Sequence, residues 1–275
     1  MFDRDAHEQN RRSWNAATVA HNRHKGDQAA ALRRGEGTLF PEELDLLGDV
    51  AGRDLVHLQC NSGQDTLSLA LCGARVTGVD LSDEAVTFAT SLARDAGIPG
   101  RFVRSDVFDW FEATPDRFDV AFASYGAVGW LSELGGWGRG LHRVLRPGGR
   151  FVLVEFHPFG LTFGRDGARV YPYSTHGVAI VEPGGVNDYV AVSDGALGAV
   201  AEVAPFVNPH STREYAWGLG DVVTALLDAG FTLERLVEWP YSNGWKPFDT
   251  MTALPGRRWA TEPALPLMFG LVARR

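Results

Sequence analysis

Between Asp54 and Phe156, short apolar runs alternate with helical patterns. That alternation restricts the segment to βαβ units on a largely parallel sheet. Leu55-Val56-His57-Leu58 reads as a first buried strand, followed by a loop from Gln59 to Gly63 and a helix over 65–71 that Gly73 closes. Residues 75–80 form a second strand, and Ser82, followed by Asp83 and Glu84, caps the next helix. Strands three, four and five are expected at 101–103, 118–123 and 150–155, the fifth fed by the tight turn Pro147-Gly148-Gly149.

After His157 the pattern changes to Gly, Pro, Tyr and alternating β-branched residues. Val178-Ala179-Ile180-Val181 and Tyr189-Val190-Ala191-Val192, with Pro183-Gly184-Gly185 between them, predict an antiparallel pair within an insertion spanning 158–213. A helix is expected over 219–229, stopped by Gly230, and strands over 231–238 and 267–273 complete a seven-stranded sheet if the second returns antiparallel. The predicted fold is α/β: a Rossmann-like, doubly wound, mostly parallel sheet with an antiparallel β insertion after strand five. Residues 1–40 read as an N-terminal helical lid on a main domain over 41–275.

Composition narrows the function. The net charge of -8, from 34 acidic and 26 basic side chains, argues against a broad surface for nucleic-acid phosphates or anionic lipid and favours a small-molecule partner. The basic residues Arg4, Arg11, Arg12, Arg23, Lys25, Arg33 and Arg34 near the N-terminus fit either a solvated helix face or a local binding patch. Cys60 and Cys72 form no CxxC pair and have no clustered histidines, so neither a disulfide framework nor a zinc site is expected. The first residues lack the apolar core of a signal peptide, and no run approaches the ~18–20 apolar residues of a membrane span. A cytoplasmic protein, monomeric or homodimeric, is the resulting expectation.

Three segments end on one edge of such a sheet, where ligands of open α/β folds bind. The loop Cys60-Asn61-Ser62-Gly63 follows strand one, and its small and turn-forming residues let backbone approach a ligand at the start of a helix. Asp80 ends strand two, where a carboxylate can accept from two ribose hydroxyls. Asp106 lies just past strand three, where it can accept from an adenine amine while Val107 packs on the ring. Each alone is equally a turn residue or a helix cap; their joint order is the signal.

On these residues the chain resembles the class I S-adenosylmethionine-dependent methyltransferases, through His57-Leu58-Gln59-Cys60-Asn61-Ser62-Gly63-Gln64-Asp65-Thr66, Val76-Thr77-Gly78-Val79-Asp80-Leu81-Ser82, Arg104-Ser105-Asp106-Val107, Phe118-Asp119-Val120 and Leu145-Arg146-Pro147-Gly148-Gly149. The resemblance covers residues 40–157 and implies S-adenosyl-L-methionine as cofactor, held by Gln59, Cys60, Asn61, Gly63, Gln64, Asp80, Leu81, Asp106, Val107 and Ser124. The first motif departs from the common form: His57 stands where most of the family has an acid, and Gln59 and Asn61 stand where glycines are usual. The His-Leu-Gln-Cys version resembles a bacterial branch acting on small molecules. No GxGxxG fingerprint is present, which counts against a dinucleotide enzyme. Cys60 reads as an apolar lining residue, and His57 as an interior histidine.

Methyl transfer from a sulfonium is an in-line displacement, so the protein must chiefly align the reactants and exclude water. If the acceptor is a hydroxyl or amine, a base must take its proton. His157, just after strand five, is the positional candidate, with a plain loop histidine as the other reading. Trp14, Tyr125, His157, Tyr241 and Trp245 are the candidate acceptor-binding residues, and no metal is expected. The aromatic residues suggest an apolar or aromatic acceptor, indole-like rings included, as in secondary metabolism, with O, N and C acceptors open. By the same resemblance Trp14, Asn15 and His21 belong to a lid. A rival reading is a fold relative that binds the cofactor as a non-methylating cyclase or binding module.

Overall fold

Strands buried on both faces need apolar side chains at successive positions, and the central strands have them. In the computed structural model, which describes residues 1–192 and 206–275, the strands are β1 (Asp54–Leu58), β2 (Arg75–Asp80), β3 (Arg101–Arg104), β4 (Phe118–Ser124), β5 (Leu145–Phe156), β6 (Ile180–Glu182), β7 (Thr212–Glu214), β8 (Thr232–Trp239), β9 (Tyr241–Asn243), β10 (Thr252–Leu254), β11 (Arg258–Ala260) and β12 (Met268–Arg274). The helices are α1 (Arg4–Arg23), α2 (Gln28–Arg33), α3 (Pro41–Leu47), α4 (Gln64–Leu71), α5 (Asp83–Ala96), α6 (Val107–Ala113), α7 (Leu134–Val144) and α8 (Leu219–Asp228).

Seven strands form one sheet in the order β3-β2-β1-β4-β5-β12-β8. The pairs among β1 to β5 are parallel, and β12 runs antiparallel between β5 and β8. Strand order reverses at β1, with β2 on one side and β4 on the other, which opens a crevice at the carboxyl ends of the strands. Alternate residues feed the two faces. Val56, Leu58, Ala121, Ala123, Phe151 and Leu153 pack with α6, α7 and α8, whereas Leu55, Val120, Phe122, Val152 and Val154 pack with α3 and α4. Full burial of a side chain such as Phe122 stabilises by roughly 1.5–3 kcal/mol.

Helix α1 is held differently. Its buried positions include Asn10, Ser13 and His21, whose partners lie in the segment after β5. Asn10 exchanges two hydrogen bonds with the Arg213 backbone, at 2.7 and 2.8 Å. Ser13 Oγ accepts from Val186 N–H at 3.0 Å, and His21 Nε2 lies 2.9 Å from the Asn187 carbonyl. Gly185 (φ 62) sits where a Cβ would collide with the His210 carbonyl and Ser13 Oγ, so only glycine permits this approach. Most of the N-terminal arginines are paired: Arg4 with Asp109, Arg11 with Glu8 and Asp83, Arg12 with Glu8, Arg34 with Glu36. That favours the solvated-face reading over a binding patch.

Two expectations are corrected. β6 pairs antiparallel with β7, not with residues 189–192, which form a 3-10 turn. The bonds of Val186 and Asn187 to α1, and the contact of Tyr189 with His21, draw that stretch onto the helix and away from β6. Second, the stretch before the last strand, which holds Tyr241 and Trp245 and where no strand is expected, contains a three-stranded sheet in the order β10-β11-β9. Residues 193–205 of the expected insertion lie outside the described residues.

Candidate functional site

A cavity of about 770 Å³ opens at the carboxyl ends of β1 to β5. One end is built from the loops after β1, β2 and β3. Cys60 N–H bonds the Val79 carbonyl and Ser105 N–H bonds the Asp80 carbonyl, so the three loops form one ledge. Asp80 is fixed by backbone: Asn61 N–H donates to Oδ2 at 2.7 Å and Ser82 N–H to Oδ1 at 2.8 Å. Burial pushes its carboxyl up to about 6 against those bonds. A carboxylate has about four lone-pair sites, so acceptor capacity remains toward the cavity.

Gln59 (φ 54) and Asn61 (φ 47) adopt the left-handed conformation that favours glycine. Each is compensated locally: Gln59 Nε2 donates to the Ala127 carbonyl at 2.7 Å, and Asn61 Oδ1 accepts from Ser62 N–H at 2.6 Å. Gln64, also on the wall, bonds Gln28 at 2.7 Å and Asn22 at 3.2 Å from the N-terminal helices. Cys60 is buried, which pushes its thiol well above the ordinary range, away from a nucleophile. Burial holds His57 near 4, neutral, with Nδ1 2.9 Å from Thr66 Oγ1.

The middle of the cavity is organised by Glu155, a residue the sequence reading left out. Its buried carboxylate accepts from the N–H groups of Gly126, Ala127 (2.8 Å), Val128 (3.1 Å) and Phe156 (2.7 Å). It thereby clamps the loop after β4, where Tyr125 (φ 42) and Gly126 (φ 82) turn sharply. Burial raises the Glu155 carboxyl. Tyr125 points its hydroxyl at Asn243 Nδ2, 3.1 Å away.

The other end is aromatic with two acids. Trp14 meets Trp130 edge-on at 5.4 Å, and Phe156 meets Trp245 at 4.5 Å. The β6–β7 ribbon turns Ile180, Glu182 and Glu214 onto this wall. Glu214 is largely buried; that burial, with Glu182 nearby, raises its carboxyl, while Thr212 Oγ1 donates to it at 2.9 Å.

Of the residues anticipated from sequence, Gln59, Cys60, Asn61, Gln64, Asp80, Leu81, Asp106, Val107, Ser124, Trp14, Tyr125 and Trp245 come together on this wall. Gly63, Tyr241 and His157 do not. Gly63 is required by packing: a Cβ there would lie 2.7 Å from Ala89 and 2.8 Å from Phe102. Tyr241 donates to Glu42 at 2.7 Å beneath the site. His157 N–H bonds the Leu267 carbonyl, which continues the sheet pairing past β5 and turns the ring toward β8. There Nδ1 accepts from Phe159 N–H at 3.1 Å and Nε2 lies at ion-pair distance, 2.7 Å, from Glu238, so the ring faces β8 and not the cavity. The missed residues Glu155 and Glu182 left only a faint signal, an acid closing a short apolar run, and Glu214, after Ser211-Thr212-Arg213, left none.

Residues 56–149 match the family model described as a methyltransferase domain. The chain is 32% identical over 129 residues to the ubiquinone biosynthesis O-methyltransferase of Methylobacterium sp. (strain 4-46), covering 47% of this chain and 49% of that one. It is 35% identical over 107 residues to the S-adenosyl-L-methionine-dependent Diels-Alderase iccD of Talaromyces variabilis, covering 38% and 37%. The chain thus spans about half, or less, of the length of these curated relatives. Among solved structures, an S-adenosylmethionine-dependent methyltransferase from Mesorhizobium loti superimposes with a TM-score of 0.58 at 25% identity, over 86% of this chain and 96% of that one.

Proposed function

We propose that this chain, which belongs to the class I S-adenosylmethionine-dependent methyltransferases and takes S-adenosylmethionine as its cofactor, methylates a small aromatic or apolar acceptor. The carrying observation is one cavity that joins the half-spent Asp80 carboxylate at one end to aromatic walls with Glu182 and Glu214 at the other.

The residues present fit a sulfonium nucleoside. Asp80 would hold the ribose and the Asp106–Val107 turn the adenine, while the buried Gln59 Oε1, without a partner among the described residues, supplies a further acceptor. Lys25, whose ammonium burial brings down to about 8, and Asp65 would hold the two charged ends of the amino-acid portion. When bound, S-adenosylmethionine supplies an electrophilic methyl group. The protein's own work is alignment and desolvation. Glu155 fixes the Tyr125–Val128 loop between the two ends, and α1 with the β6–β7 ribbon covers the cavity as a lid. Glu214, a carboxylate made more basic by burial, takes the proton of an acceptor hydroxyl or amine.

A second reading, a cyclase that keeps the cofactor without spending it, is favoured by the similarity to the Diels-Alderase. Incubation with S-adenosylmethionine and a panel of phenols, indoles, quinols and aromatic amines, followed by mass spectrometry, tests the assignment. Methyltransfer yields S-adenosylhomocysteine and a product heavier by one methylene. Turnover of a polyene substrate with the cofactor unchanged would favour the cyclase.

A further inference from the structure

His7 lies on α1, on the same wall as Asp80, Asp106 and Val107. It is 5% exposed, and its Nε2 is buried with no hydrogen-bond partner among the described residues. Leaving such an atom unsatisfied costs folding free energy, which makes a ligand partner the natural completion. The ring is held in place: Nδ1 lies 2.6 Å from Asp106 Oδ2, and the ring packs at a tilt against the stacked pair Phe2 and Phe108, at centroid distances of 5.2 and 5.6 Å. Asp106 in turn spends Oδ1 on the Phe108 N–H at 2.9 Å, capping α6. Each oxygen of the carboxylate expected to meet the adenine amine thus already carries one contact within the protein, while His7 Nε2 carries none among the described residues.

We propose that His7, supplied by the first helix, is the residue that reads the 6-amino group of the cofactor's adenine, with Asp106 as its positioning residue. A carboxylate only accepts, so in the tautomer that places the ring proton on Nδ1, within the bond to Asp106, a lone pair at Nε2 faces the ligand. That lone pair accepts from an exocyclic amine and opposes a carbonyl oxygen in the same place. This inference rests on the cofactor assignment above and adds to it the group that sets nucleobase specificity.

The test is calorimetric binding of S-adenosylhomocysteine and of its 6-oxo analogue, S-inosylhomocysteine, to wild type, His7→Phe and His7→Gln. Wild type is expected to prefer the adenine compound by about tenfold or more, the scale of one buried hydrogen bond. His7→Phe keeps the ring packing, loses about tenfold for the adenine compound and no longer discriminates. His7→Gln, whose amide oxygen also accepts, recovers part of the preference and stands in if the phenylalanine variant does not fold. Equal weakening of both ligands with the preference intact would make His7 a packing residue and overturn the proposal, as would a wild type that prefers the 6-oxo compound. A wild type that binds neither ligand removes this inference together with the cofactor assignment, and is seen in the wild-type arm alone.

Discussion

The Asn61 backbone N–H donates to the Asp80 carboxylate at 2.7 Å, joining the loop after β1 to the tip of β2. The same carboxyl, held near 6 by burial, is charged at neutral pH and protonated in acid. Ribose hydroxyls bind the charged form, so the complex holds the proton less tightly than the free protein. Affinity for S-adenosylhomocysteine is therefore expected to be flat between about pH 6 and 7 and to fall below pH 6 by up to about tenfold per pH unit, with a separate, smaller decline toward pH 8 as Lys25 loses its proton. Titration calorimetry from pH 5 to 8 checks this; the break disappears in Asp80→Asn, which binds weakly throughout.

Glu155→Gln places an amide nitrogen against backbone donors that the carboxylate satisfies. The expected loss is about 1–3 kcal/mol of stability, read as a fall in Tm of several degrees. Because the affected loop carries Tyr125, KM for the acceptor should rise more than Kd for the nucleoside.

Glu214→Gln removes the group proposed to accept a proton while keeping its shape. The expected result is a fall in kcat of about 10²-fold or more for a hydroxyl or amine acceptor, with Kd for S-adenosylhomocysteine within about twofold of wild type. His157→Gln, at a side chain already engaged by Glu238 and the Phe159 N–H, should leave kcat within a few-fold.

His57 is neutral in the folded protein down to about pH 4, whereas an ordinary histidine protonates near 6.5. The unfolded chain thus binds the proton first, and the stabilisation is complete above pH 6.5 and lost as the pH falls toward 4. The loss is roughly 3 kcal/mol across that window. Asp80, whose carboxyl is raised, acts in the opposite sense at the acid end, so the difference between wild type and His57→Gln is the quantity to read. Tm measured from pH 7.5 to 4.5 should fall less steeply in the variant.

The sheet was legible because its strands are continuous apolar runs, as in Phe151-Val152-Leu153-Val154, and because Ser82 marks the start of α5. The ledge at Asp80 and Asp106 was legible for the same reason: its residues sit at strand ends. What the sequence hid is held by long-range polar contact. Asn10 and Ser13 look like surface positions on α1, yet their partners are backbone groups 203 and 197 residues away, at Arg213 and His210. Glu155 looks like the last residue of a strand, and only the folded loop after β4 reveals its four donors. Tyr189-Val190-Ala191-Val192 has β-branched alternation, and its contact with His21 overrides that pattern.

The central claim is a sulfonium-nucleoside site centred on Asp80, and thermal shift with S-adenosylmethionine, S-adenosylhomocysteine and NAD, for wild type and Asp80→Ala, tests it most directly. A ligand that binds only the folded state stabilises it by about 2.7 kcal/mol at a hundredfold excess over Kd. The account predicts a rise in Tm with the two sulfur nucleosides, none with NAD, and loss of the rise in Asp80→Ala. A rise with NAD alone, or an Asp80→Ala protein that responds as wild type does, would contradict it.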